Sequence, residues 1–315
     1  MQIVQAARAS AMLYSLLMEH GSQHPWLLPA NICPIVPITF LKARVPFQFA
    51  DISGQTLHMN LDQAEELVKK RKFGGLLYAH TYGEASTPNE FFESVKGYSP
   101  DLMIIDDRCL CIPDLAPDGA SQADVQLYST GYAKIVDLSL GGYAFVSDSI
   151  NYRPAHLPFR RNDHDEIEKS YKEFIRRRTK FVYQDSDWLD TETAVPAWDD
   201  YRGQIEQGLV EGWEHYALLN QIYARLLPAE IQLPAPFQTW RFNIRVRNKR
   251  SLLEAIFSSH LFASSHYASL AGIMDDGAAP QAEALAKRVI NLFSDHHFTA
   301  DQAEQVCKII LENLA

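Results

Sequence analysis

The chain has 315 residues, with 39 acidic and 29 basic side chains and a formal charge of −10. Hydrophobic residues make up 47% and charged residues 22%, the balance of a soluble globular protein with room for one large domain or two ordinary ones. The acidity argues against nucleic acid or an anionic membrane surface as partner, and the four cysteines, Cys33, Cys109, Cys111 and Cys307, lack zinc-type spacing, which suits buried thiols in a reducing cytoplasm and no metal site.

The first stretch, Ile3 to Met18, carries apolar residues at Ile3, Ala6, Ala7, Leu13, Leu16 and Leu17, a spacing that predicts a helix with one buried face. Its core, Ala11 to Met18, is too short and too polar for a signal peptide. No run in the chain approaches a membrane span, so we expect a cytoplasmic protein. Trp26-Leu27-Leu28 reads as a buried strand, Ile35 to Ala43 as a helix after Pro34, and Phe47 to Ala50 as another strand. Asp62 to Lys70 has carboxylates early, lysines late and Gly74-Gly75 beyond, the charge order that suits a helix dipole.

Leu76 to His80 predicts a strand ending in the loop Thr81-Tyr82-Gly83, and Asn89 to Val95 a helix. Leu102 to Ile105 is the clearest buried strand and ends in Asp106-Asp107. Such alternation predicts a mostly parallel sheet with helices on both faces. Ligands of these sheets bind beyond the carboxyl ends of the strands, where His80 and Asp107 stand. Strands at Asp124 to Ser129 and Tyr143 to Val146 flank a loop with Lys134 and Gly141-Gly142.

From Asp163 to Pro228 the pattern is helical and charged, including Ile167 to Phe181 and Asp200 to Leu227. Beyond Pro236, Trp240 to Val246 alternates like a strand, Leu252 to Leu261 is helical, Ser264 to Leu270 is extended, and helices over Ala282 to Phe293 and Ala300 to Leu314 close the chain. We therefore expect a large α/β domain over 1–155, a helical connection over 156–235 and a small α+β domain over 236–315.

Asp107, Ser129 and Lys134 form the strongest constellation. A carboxylate at a buried strand end can keep a pyridine nitrogen protonated, and a protonated ring is an electron sink. A nearby lysine can bind an aldehyde and shuttle protons, while a serine and a helix N-terminus can hold a phosphate. Spacing alone does not establish this, because loop lysines are commonly solvated and strand-end aspartates commonly cap helices.

The segments around these residues resemble the DegT/DnrJ/EryC1/StrS family of fold-type-I, pyridoxal phosphate-dependent sugar aminotransferases. The family's strand ending in IEDAAQ or IEDAAH is similar to Ile105-Asp106-Asp107-Arg108-Cys109-Leu110. Its FSFHPTK…GEGG is similar to Tyr128-Ser129-Thr130-Gly131-Tyr132-Ala133-Lys134 with Gly141-Gly142. Its VHxxG falls on Ala79-His80-Thr81-Tyr82-Gly83, its SGTAAL on Arg8 to Leu13, and its HYxPL on His266-Tyr267-Ala268-Ser269-Leu270.

The resemblance implies a homodimeric, fold-type-I α/β enzyme with pyridoxal 5'-phosphate. It implies Lys134 as the Schiff-base residue, Asp107 on the ring nitrogen, Ser129, Ser10 and Ala9 at the phosphate, and Cys33 and His80 beside the cofactor. The reaction implied is transfer of an amino group from glutamate to a keto-sugar, nucleotide-linked. His80 reads equally as a cofactor contact and as a residue closing a strand end, and His266 equally as a substrate contact and as a structural edge.

The chain also departs from the pattern. Leu110 stands where the family has glutamine or histidine, and Cys33 where it has an aromatic ring that stacks on the cofactor. Ala9 and Ser10 replace glycine and threonine of the phosphate loop, and the sequence begins close to that loop, without the family's opening segment. The segment that a partner subunit extends to the phosphate is not recognisable after Tyr152. These departures leave a second reading, a cofactor-binding or scaffold homologue without efficient turnover. A sugar dehydratase of the same family would carry histidine in place of Lys134.

Overall fold

A computed structural model describes residues 1–314. Seven strands, β1 (Gln2–Ala6), β2 (Trp26–Pro29), β3 (Phe47–Ala50), β4 (Gly75–Ala79), β5 (Met103–Asp107), β6 (Val125–Ser129) and β7 (Gly142–Val146), form one sheet in the order β1-β7-β6-β5-β4-β2-β3. Strands β2 to β6 run parallel to their neighbours; β7 is antiparallel to β6, and β1 to β7. The predicted mostly parallel α/β sheet is therefore present.

Side chains alternate across the central strands. Leu28, Leu77, Ile105 and Leu127 pack with Met12, Leu13, Leu16 and Leu17 of α1 (Ala9–His20) and Phe40 of α2 (Ile35–Ala43). Leu27, Leu76 and Ile104 point the other way, toward Ala64 and Val68 of α3 (Leu61–Lys70) and Phe91, Phe92 and Val95 of α4 (Asn89–Tyr98). Both faces are covered, which is why β5 is buried at every position. Each fully buried leucine of this sandwich contributes roughly 2 kcal/mol through burial.

One sequence expectation fails at the start. Residues 2–6 are a strand paired with β7, and α1 begins only at Ala9. The apolar spacing that suggested a single helix merges two elements: the strand alternates, whereas α1 is buried all round from Ala11 to Leu17. The middle region holds α5 (Arg161–Arg177) and α6 (Trp198–Leu226). Helix α5 stops short of Phe181 because Arg178 adopts left-handed backbone and closes it.

A second, antiparallel sheet has the order β8 (Phe242–Arg245), β10 (Val289–Leu292), β9 (Ala263–Ser264). Helices α7 (Lys249–Ser258) and α9 (Ala300–Asn313) and the end of α6 pack on it. The helix expected over 282–293 is instead α8 (Pro280–Ala286) followed by β10. Periodicity cannot separate a short apolar strand from a helical continuation. Asn291 decides the matter: its Nδ2 donates to Asn243 Oδ1 at 2.6 Å, and its Oδ1 accepts from the His266 amide at 2.7 Å and from Ser264 Oγ at 3.1 Å. Thr299 caps α9 in a reciprocal capping box with Gln302. No helix among the described residues is long and apolar enough to cross a membrane.

Candidate active site

Successive residues of β5 face opposite ways, and this separates the paired carboxylates. Asp106, fully buried, accepts from His80 at 2.7 Å (Nε2 to Oδ1) and lies 3.2 Å from the Arg108 guanidinium. Arg108 also donates to Asp114 at 2.9 Å, to the Ala85 carbonyl at 2.8 Å and to Thr87 at 3.0 Å. The other ring nitrogen of His80 sits 2.7 Å from the Glu84 carbonyl. His80 thus borders the site while both its nitrogens are engaged in tying the end of β4 to the end of β5.

Asp107 takes the other direction. It accepts from the Cys109 amide at 3.0 Å and lines a small cavity together with Asn31, Cys33, His80, Leu110, Lys134 and Tyr267. Lys134, 27 positions downstream of Asp107, reaches this cavity because the loop after β6 folds back over the strand ends. Two interactions hold that loop at Ala133, whose φ of +60° is left-handed. Its amide donates to Asp137 Oδ2 at 2.8 Å, and its carbonyl accepts from the Trp240 indole at 2.9 Å.

Neither cysteine beside the lysine is built as a nucleophile. Burial pushes the Cys33 thiol up, against the Lys134 ammonium, and burial and the Asp107 carboxylate raise Cys109 well above its ordinary range. Both remain neutral thiols. His266 is held neutral too: burial, with the positive charges of Arg241, Lys134 and Lys172, lowers it to about 3.

Ser129, Ala9 and Ser10 are not on the wall of the cavity that Lys134 and Asp107 share. Ser129 and Ala9 come together at Gly142. Ser129 pairs with Gly142 across the β6–β7 ladder, and Gly142 packs directly on Ala9. A methyl group on Gly142 would lie 2.5 Å from the Ala9 nitrogen, and one on Gly141, at φ +90°, would lie 2.3 Å from Tyr201 Oη. Gly142 therefore lets the start of α1 approach the strand ends, and Gly141 admits Tyr201 of α6. No side chain caps α1, so its first turn keeps amide donors and a positive dipole end.

Two residues escaped the sequence reading of the site. Arg8 precedes α1, donates to the Ser139 carbonyl at 2.8 Å, and lies with Ser129 Oγ on the same side of Gly131. Its place in the phosphate-loop segment was the available signal. Tyr267 supplies an aromatic wall to the cavity where Cys33 offers none; its position inside the HYxPL-like segment was the signal there.

No family model and no curated protein matches the sequence. Solved structures do. A DegT/DnrJ/EryC1/StrS aminotransferase from Brucella abortus superposes with a TM-score of 0.69 over 100% of this chain and 86% of its own, at 14% identity. The fold is that of these aminotransferases. The sugar aminotransferase CalS13 from Micromonospora echinospora gives a TM-score of 0.66 at 16% identity, covering 99% of this chain and 87% of its own. DesV from S. venezuelae, solved with a ketimine intermediate, gives 0.69 at 15% identity, covering 98% and 84%.

The cavity fits the cofactor implied by that fold. An amine and a carboxylate line one pocket, and Asn31 Oδ1, on the same wall, is buried with no donor. The Asn31 Nδ2 is already used, donating to the Leu57 carbonyl at 3.0 Å. A buried acceptor without a donor is costly, and a ring hydroxyl is the group that would satisfy it.

Proposed function

We propose that this chain is a pyridoxal phosphate-dependent aminotransferase that moves an amino group from glutamate to a keto-sugar, nucleotide-linked, and works as a cytoplasmic homodimer. One observation carries the reading: Lys134 and Asp107 line the same cavity at the carboxyl ends of a parallel sheet.

Pyridoxal phosphate, when bound, supplies an electron sink for negative charge developing at the amine-bearing carbon. Asp107 holds a proton on the ring nitrogen. Lys134 is the covalent attachment point and, once free, moves a proton as general base and then general acid at Nζ. Ser129, Ser10 and the backbone at Ala9 hold the phosphate, with Arg8 adding charge. Cys33 and Tyr267 wall the ring, His80 fixes the strand ends, and Leu110 keeps water from the cavity beside Asp107.

The test is chemical. Protein incubated with pyridoxal phosphate and reduced with borohydride should carry the phosphopyridoxyl label on the Lys134 peptide, and the absorption band of the unreduced protein should shift when glutamate is added. Label elsewhere, or a Lys134→Ala variant that still forms the band, overturns the assignment. The second reading, a cofactor-binding homologue without turnover, is favoured by Cys33, because a thiol cannot stack on a ring. It predicts labelling at Lys134 with a band that responds to no amine donor.

A further inference from the structure

Two open grooves adjoin on the face formed by the end of α5, the turn from β8 into α7, and α8. Glu283 and Lys287 line both, so they make one surface. Eight lysines and arginines border it against two glutamates, Glu254 and Glu283, although the chain as a whole carries −10. Both glutamates are already paired, Glu283 with Arg178 and Glu254 with Arg250, each at 2.9 Å. Arg245, Arg247, Lys287 and Arg288 are exposed, and among the described residues none of them has a carboxylate within ion-pair distance.

The fold itself gathers these charges. Strands β8 and β10 are antiparallel with Arg245 opposite Val289, and the Val246 amide donates to the Arg288 carbonyl at 3.0 Å. Arg245, Arg247 and Arg288 therefore come from neighbouring ends of two paired strands. Lys249, at the start of α7, donates to the Ala286 carbonyl and, at 2.8 Å, to Ser265 Oγ, which ties α7 to the end of α8. Like charges on adjacent strands repel, and the ladder uses only their backbone. What they produce is a positive field over one face of an acidic molecule, and such a field draws in and orients a negatively charged partner.

We infer that this surface docks an acidic, amphipathic segment of another protein. Half-buried Ile175, Ala268 and Ala286 line the same groove as Arg247 and Lys287, so apolar side chains can lie in it while carboxylates meet the cations. A short segment suits the charge pattern better than nucleic acid does. Exposed charges act over about 8 Å at physiological salt. A partner confined to the grooves meets the local cations, whereas a duplex extends past them over a chain of net charge −10. The inference is independent of Lys134, which lines neither groove.

Fluorescence anisotropy of the full chain with a labelled helical peptide, glutamates on one face and leucines on the other, tests this. Wild type should bind it saturably and should not bind the same peptide with lysine in place of glutamate. Raising the salt from roughly 50 to 300 mM should weaken binding about tenfold. Arg247→Glu combined with Arg288→Glu should also weaken it by about tenfold or more. Lys70→Glu combined with Lys308→Glu, at exposed positions on α3 and α9, makes the same change in net charge and should leave binding unchanged. No binding by wild type, equal losses in the two double variants, tighter binding of a duplex DNA of similar length, or displacement of the peptide by equimolar ADP overturns the inference. So does sedimentation showing that the Arg247→Glu/Arg288→Glu protein loses a dimer that wild type forms, because the occupant would then be a second copy of this chain.

Discussion

The indole N–H of Trp240 donates to the carbonyl of Ala133 at 2.9 Å, so a residue just ahead of the second sheet fixes the backbone next to Lys134. Ala133 is held in left-handed backbone, a conformation that costs a non-glycine residue about 1–2 kcal/mol. The bond from Trp240 and the one from the Ala133 amide to Asp137 are what hold it there. Trp240→Phe keeps the ring and removes the donor. It should lower unfolding stability by about 1–2 kcal/mol in urea and slow borohydride-trapped labelling of Lys134; an unchanged labelling rate would show that this bond does not position the lysine.

Arg8 should act on the phosphate alone. Arg8→Met is expected to weaken binding of pyridoxal phosphate by roughly tenfold, the scale of one charge-assisted hydrogen bond. Binding of pyridoxal, which has no phosphate, should hardly change. Equal losses for the two compounds would mean that Arg8 merely supports the loop through its bond to Ser139.

Gly142 is required by contact. An alanine methyl there would meet the Ala9 nitrogen at 2.5 Å and its Cα at 2.8 Å, and backbone cannot rotate away as a side chain can. Gly142→Ala should therefore destabilise the protein by about 1–3 kcal/mol in chemical denaturation. It should also weaken pyridoxal phosphate more than pyridoxal, because α1 is pushed from Ser129. A fully stable variant with unchanged phosphate discrimination would refute this role.

His266 ties stability to pH. Its folded-state value of about 3 lies below the ordinary 6.5, because it is buried and faces Arg241, Lys134 and Lys172. Between those values the unfolded chain binds a proton that the folded chain does not, so this contribution is complete above about pH 6.5 and is lost as pH falls toward 3. In that window the site should add a slope of about 1.4 kcal/mol per pH unit to unfolding free energy. His58, lowered to about 4 mainly by burial and the neighbouring His80, acts in the same direction. His266→Asn should flatten the measured slope; an unaltered slope would assign the acid sensitivity elsewhere.

Much of the fold was legible because its signals are local. The buried runs at Leu27, Leu76, Ile104 and Leu127 announce central parallel strands, and the charge order of Asp62 to Lys70 announces the helix that the structure caps with Asn60. The misreadings at residues 2–6 and 289–292 occur where a strand depends on partners far along the chain: β7 for the first, and β8 and β9 for the second. Short apolar segments carry no periodicity long enough to distinguish the two states.

For the site, the sequence by itself determined which chemical groups are present: an amine at Lys134, carboxylates at Asp106 and Asp107, a hydroxyl at Ser129, and a glycine pair able to admit a close helix. Only the tertiary structure decided which carboxylate faces the amine, since the two-residue repeat of a strand sends Asp106 to His80 and Arg108 and Asp107 to the cavity. It alone brought Arg241, Asp137 and Asp295 to the space beside Lys134. Residue type sets what a group can do, whereas burial and partners, which come from segments a hundred residues apart, set what is left for it to do.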